Sequence, residues 1–152
     1  MSRGDGFEAE VVARLHAAGP TIGPALKPFD GDHTMSPLEE FEVALGECQS
    51  RSRAATAAGT QAFARLLRLA EERDSGQIVR VVRFLAATYN GQAFPLDLFE
   101  LRAVDVTISD DMLLCLDALR WGRADLHTLV PDGDRRVQAV IARWGLRWPD
   151  DG

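Results

Sequence analysis

Cys115 and His127 are the side chains of this chain best suited by type to nucleophilic chemistry, a thiol with an imidazole not far along the sequence. A cysteine attacks only as the thiolate, and an imidazole can take its proton. The thiol is embedded in Leu113-Leu114-Cys115-Leu116, however, where burial raises its pKa and makes it inert. Carboxylates are the other reactive candidates. Asp97, Asp105 and Asp125 share irregular segments with His127, and a small acid–base site could be assembled from these four in three dimensions. His16, His33 and His127 show no HxxxH or HExxH spacing, so a histidine metal site is not expected. Asp30-Gly31-Asp32-His33 and Asp132-Gly133-Asp134 begin like oxygen-ligand loops but lack the alternating acids and closing Glu of a calcium loop. Turn chemistry accounts for both. Without GxSxG, GxxxxGK[ST] or GxGxxG, neither a serine nucleophile nor a nucleotide site has support. No catalytic residue, metal or cofactor is therefore assigned.

Charge is more informative than chemistry. The net charge is −6, and residues 97–134 hold nine acids against Arg102, Arg120 and Arg123. Asp105, Asp110, Asp111 and Asp117 form the densest group. Their plain explanation is a solvated helix start, whose acids suit the positive end of the macrodipole. The sharper one is a docking surface for a partner with a basic face. Residues 60–96 carry Arg65, Arg68, Arg73, Arg80 and Arg83 against three acids. These arginines read as solvated edges paired locally with Glu71 and Glu72, or as a cationic strip for nucleic acid. The acidic total argues against direct nucleic-acid binding, because counterion release needs clustered cations facing phosphate.

The elements that must position these groups are helical. Apolar residues at Phe63, Leu66, Leu67 and Ala70, at Ile78, Val81, Val82 and Leu85, and at Met112, Cys115, Leu116 and Leu119 each follow i, i+3, i+4, i+7. That spacing lines one face of a helix. A first helix is expected over about 6–18, with Phe7, Val11 and Leu15 on its face, followed by a Pro- and Gly-rich linker over 19–35. Ser36-Pro37-Leu38-Glu39 is a capping box that starts a helix with the stripe Leu38, Phe41, Leu45 and Cys48. The small residues of 52–59 predict a break, with Thr60 capping the next helix. Asp74-Ser75-Gly76-Gln77 separates two helices closely, and Asn90-Gly91 should end the second with left-handed backbone. Leu98, Phe99 and Leu101 should anchor an irregular segment near 92–108. Ser109 should cap a helix carrying Asp110 and Asp111 in its first turn, and a last helix spans about 134–144. Cys48 and Cys115 read as reduced core thiols, and Trp121, Trp144 and Trp148 as buried anchors.

Ser75-Gly76-Gln77, Arg83-Phe84-Leu85, Tyr89-Asn90-Gly91, Phe94-Pro95-Leu96-Asp97-Leu98, Leu101-Arg102-Ala103-Val104-Asp105, His127 and Asp132-Gly133 together give residues 60–148 a family resemblance. The chain resembles an uncharacterised proteobacterial helical domain family of unknown function, found on plasmids and integrative conjugative elements. The resemblance implies a mobile-element setting, with host-defence machinery among the partners, and assigns no activity to any residue.

The sequence thus predicts an all-α fold, a single compact bundle-like domain of about six helices. Residues 1–58 would pack as helices and loop on a 59–148 core, with 149–152 as a tail. A length of 152 residues suffices for a real core, and no apolar run reaches the ~20 residues of a membrane span, so a soluble cytoplasmic protein is expected. The expected function is a non-enzymatic protein–protein interaction module, an inhibitor or regulator of a nucleoprotein or host-defence complex, whose acids at 105, 110, 111 and 117 meet a basic protein surface. The alternatives are a small enzyme using Asp97, Asp105, Asp125 and His127, and a nucleic-acid accessory protein using the arginines of 65–83. No membrane contact is expected, and a homodimer is compatible.

Overall fold

The computed structural model describes residues 34–150. Contacts divide the chain into Met1–Glu40 and Phe41–Gly152, and the fold below is that of the second unit with the first turn of its leading helix. Among the described residues the architecture is all-α, as the 3.6-residue periodicity requires. Helices α1 (Pro37–Glu72), α2 (Ile78–Tyr89), α3 (Val106–Trp121) and α4 (Gly133–Arg143) follow in order, with 3₁₀ turns at Leu98–Ala103 before α3 and Leu126–Leu129 before α4. The expected helix over 6–18 and nearly all of the 19–35 linker lie outside the described residues.

Helix α1 starts where its cap dictates. Ser36 Oγ accepts the Glu39 N–H at 3.3 Å, and Glu39 Oε2 accepts the Ser36 N–H at 2.8 Å. The break expected over 52–59 does not occur; α1 is continuous for 36 residues. Alanines at 54, 55, 57 and 58 favour helix strongly enough to carry it through. Thr60 does not cap: its hydroxyl donates back to the Thr56 carbonyl at 2.8 Å, as Thr56 does to Ser52 at 2.7 Å. Gly59 has a packing reason to be there. A Cβ at that position would stand 2.4 Å from Ala118 Cβ and 2.9 Å from the Leu114 carbonyl, so α3 crosses α1 against bare backbone.

The core is built from the predicted faces: Phe63, Leu66, Leu67 and Ala70 of α1, with Ile78, Val81, Val82 and Leu85 of α2. Met112 and Cys115 of α3 and Val137, Val140 and Ile141 of α4 complete it. The α3 face is rotated from expectation, since Ile108 and Ala118 are buried while Leu116 and Leu119 are only partly so. The helix also starts earlier than expected. The Asp105 carbonyl accepts the Ile108 and Ser109 N–H groups, so Ser109 lies inside α3 and donates its hydroxyl to the Val106 carbonyl. Asp110 and Asp111 consequently fall beyond the first turn.

Other expectations are corrected locally. Asn90 ends α2 with extended backbone, φ −150°, and its side-chain oxygen accepts the Gln92 and Ala93 N–H groups instead. Leu98 and Phe99 are exposed, the latter beneath the Arg102 guanidinium, and the segment is held by Phe94 and Leu101. Cys48 is exposed rather than core. Trp121, Trp144 and Trp148 are half-buried, with Trp148 packed edge-on against Phe94 and Tyr89. No described helix is long and apolar enough to cross a membrane.

Candidate functional site

The acids expected to form a docking surface sit at one end and along one helix, but three are already engaged, two of them in ion pairs. Arg65 of α1 forks onto Asp111, its Nη2 2.6 Å and its Nε 3.0 Å from the carboxylate, and this bond raises the guanidinium pKa. Asp117 takes the Arg120 Nε at 2.5 Å. Asp105 is locked to Gln77 by a reciprocal pair, accepting the side-chain amide at 2.8 Å and donating its N–H at 3.0 Å. Asp110 is exposed and enters no ion pair among the described residues. Half of the expected negative charge is thus neutralised within the fold.

The arginine strip is dispersed in the same way. Arg80 and Arg83 both pair with Glu100, and Arg65 with Asp111. Only Arg68 and Arg73 of that set stay outside ion pairs among the described residues, beside Arg65 along a cleft of about 250 Å³ between α1 and the start of α3. The local pairing expected for Glu71 is replaced by a distant one, described below.

The residues of the alternative acid–base site are not gathered. Asp97 caps the turn that follows it, accepting the Phe99 N–H at 2.9 Å, and Asp105 precedes α3 without a side-chain cap bond, its carboxylate being held by Gln77. Asp125 precedes the Leu126 turn, and His127 packs edge-on against Tyr89 with centroids 4.7 Å apart. None of the four lines the cleft between α1 and α3 or the one where the end of α1 meets α4. The His127 Nδ1 and Trp121 Nε1 atoms are buried without hydrogen-bond partners among the described residues. Burial of Cys115 pushes its thiol up to about 12, Asp111 adding to the rise and Arg65 opposing it, so that thiol is inert at neutral pH. Among the described residues no cluster of three or more His, Cys, Asp or Glu side chains could hold a metal ion.

Two surfaces stand out instead. The first is the leading half of α1. Leu38 is 66%, Phe41 63% and Leu45 46% exposed, with Cys48 exposed on the same stripe, although the later turns of that stripe enter the core at Ala62 and Leu66. Between Pro37 and Ser50 the helix carries Glu39, Glu40, Glu42 and Glu47 and no base. The sequence reveals this stripe but not that it lacks a partner among the described residues.

The second is a cleft of about 450 Å³ where the end of α1 meets α4, lined by Glu71, Arg135, Arg136, Ala139, Val140 and Arg143. Arg136 forks onto Glu71 at 2.7 and 2.8 Å, and Arg143 donates to the Glu71 carbonyl at 2.5 Å. The Arg136 bond holds the Glu71 carboxyl below its ordinary range against the opposing effect of burial, and Arg68 lowers it further. Alongside, Tyr89 donates to Asp134 at 2.6 Å and accepts from Gln138 at 2.8 Å. These partnerships span from 45 to 72 residues of sequence, and no local pattern signals them.

A family model, DUF7673, described as a family of unknown function, matches residues 60–145, and the chain belongs to that family. No curated protein matches it, and neither does any solved structure.

Proposed function

We propose that this member of DUF7673 is a non-enzymatic protein–protein interaction module, and that its docking element is the leading half of α1. One observation carries the proposal: Phe41 and Leu45 stand in solvent on a helix whose continuing face is fully packed. Covering two such side chains is worth roughly 1.5–3 kcal/mol each, so an uncovered stripe on an ordered helix is a strong driving force for association. Apolar anchors at helical spacing fit the helix-in-groove mode of recognition. The four flanking glutamates specify the partner's chemistry: an apolar groove with a basic rim. That is the basic protein surface expected from the acidic composition, but met by Glu39, Glu40, Glu42 and Glu47 rather than by Asp111 and Asp117, which the fold already pairs. In the mobile-element setting that the resemblance implies, a cationic groove of a nucleoprotein or host-defence complex has this character. Asp105 and Asp110 would add a lesser acidic contact.

The test is photo-crosslinking in the native host with a benzoylphenylalanine in place of Phe41 and, as control, in place of Gln138. A discrete adduct from position 41, lost when Leu45→Glu is added, is expected. Equal adducts from both positions, or none from 41, would reject the module.

A further inference from the structure

We propose that the groove taken by the α1 stripe belongs to a second copy of this chain, and is the arginine-rimmed cleft between the end of α1 and α4. The inference rests on the docking role of the stripe argued above. A partner for that stripe needs an apolar floor and cations around it, and the chain carries such a place. Ala139 and Val140 form the floor. Arg135, Arg136 and Arg143 stand around it, Arg135 in a highly exposed pair with Asp132 at 3.2 Å that a ligand can replace, with Arg68 close enough to act on Glu71, the carboxylate that orders the group. Glu71 spends its two oxygens on Arg136 alone, and Arg143 gives one N–H to a backbone carbonyl, which leaves most of its donors for a ligand. Guanidiniums already fixed by a carboxylate and a carbonyl lose little freedom on meeting an anion.

Spacing matches as well as charge. Arg136 and Arg143 are seven residues apart on α4, two helical turns or about 10.5 Å, and so are Glu40 and Glu47 on α1. Apolar residues lie between the charges in both stretches: Ala139 and Val140 in one, Phe41 and Leu45 in the other. The contact must be between molecules. Phe41 and Glu71 lie on one unbroken helix, about 45 Å apart at 1.5 Å per residue, so a chain cannot bring its own stripe to its own cleft. Stripe and cleft are different surfaces, which makes the association head-to-tail.

Light scattering on the full-length chain, over a wide concentration range at low and high salt, tests the proposal. Self-association at low salt that weakens as salt rises is expected. Glu40→Arg/Glu47→Arg, which alters the stripe, and Arg135→Glu/Arg143→Glu, which alters the cleft, should each be monomeric. Mixing the two should restore association, because each supplies the surface the other complements. Circular dichroism confirms that both variants are folded; if the cleft pair is not, Arg135→Gln, at an exposed position, replaces it and should weaken association. Loss of association in the stripe variant alone would overturn the proposal in favour of stripe pairing with stripe. A wild-type monomer under all conditions would also overturn it, while a Phe41 adduct to another protein would leave the interaction module standing. Association unaffected by the stripe variant would remove both.

Discussion

Two cysteines of the same type were indistinguishable as helical-face residues, and the fold gives them opposite chemistry. Cys115 is wrapped by α1 at Gly59, its thiol 3.7 Å from the Gly59 carbonyl, and its pKa of about 12 keeps it protonated. Cys48 lies on the uncovered stripe. A thiol reagent at neutral pH should therefore modify one cysteine quickly, and mass spectrometry should place it at 48; fast modification of Cys115 would contradict the packing. Glu71 offers a second residue-level test. Its folded pKa is depressed by Arg136, so its contribution to stability is full above the ordinary carboxyl pKa and is lost as pH falls through the depressed value. Glu71→Gln should destabilise the fold by about 1 kcal/mol near neutral pH, a value discounted for the partial exposure of the pair. The deficit should shrink to nothing in strong acid, as read from urea midpoints across the pH range.

At the scale of elements, periodicity identified every described helix, and its errors were at ends and joints. The capping box at Ser36 was legible because its two bonds lie within four residues. Gly59 reads as part of a break in sequence because its reason is α3, which no local window contains. Its role makes a sharp prediction: Gly59→Ala, which helix propensity alone would favour, should lower stability by about 1–3 kcal/mol, since the new methyl meets Ala118 and the α3 backbone. A stabilising effect in thermal or chemical unfolding would contradict the tight crossing. Ser109 looks like a cap by its type, whereas the carbonyl of Asp105, four residues upstream, receives the first helical bonds of α3. Acids counted as a docking group were drawn into ion pairs by arginines from another helix and from the next turn, the first of these at a separation invisible to composition.

For the whole molecule, an all-α class and its central core are readable from the chain, while the exposure of its α1 stripe and the arginine cleft are not. An amphipathic stripe shows in sequence whether or not something covers it; only the fold reveals that the stripe enters the core at one end of α1 and leaves it at the other. The arginine cleft depends on Glu71 meeting Arg136 across 65 residues. Amide hydrogen exchange along α1 in dilute solution, where association is absent, tests the central claim that its leading half is uncovered. Residues 41–50 should exchange much faster than 62–70, since few buried contacts hold their hydrogen bonds closed. Equal protection of the two stretches in the isolated chain would mean that the chain already covers the stripe, and the account of its function would fail.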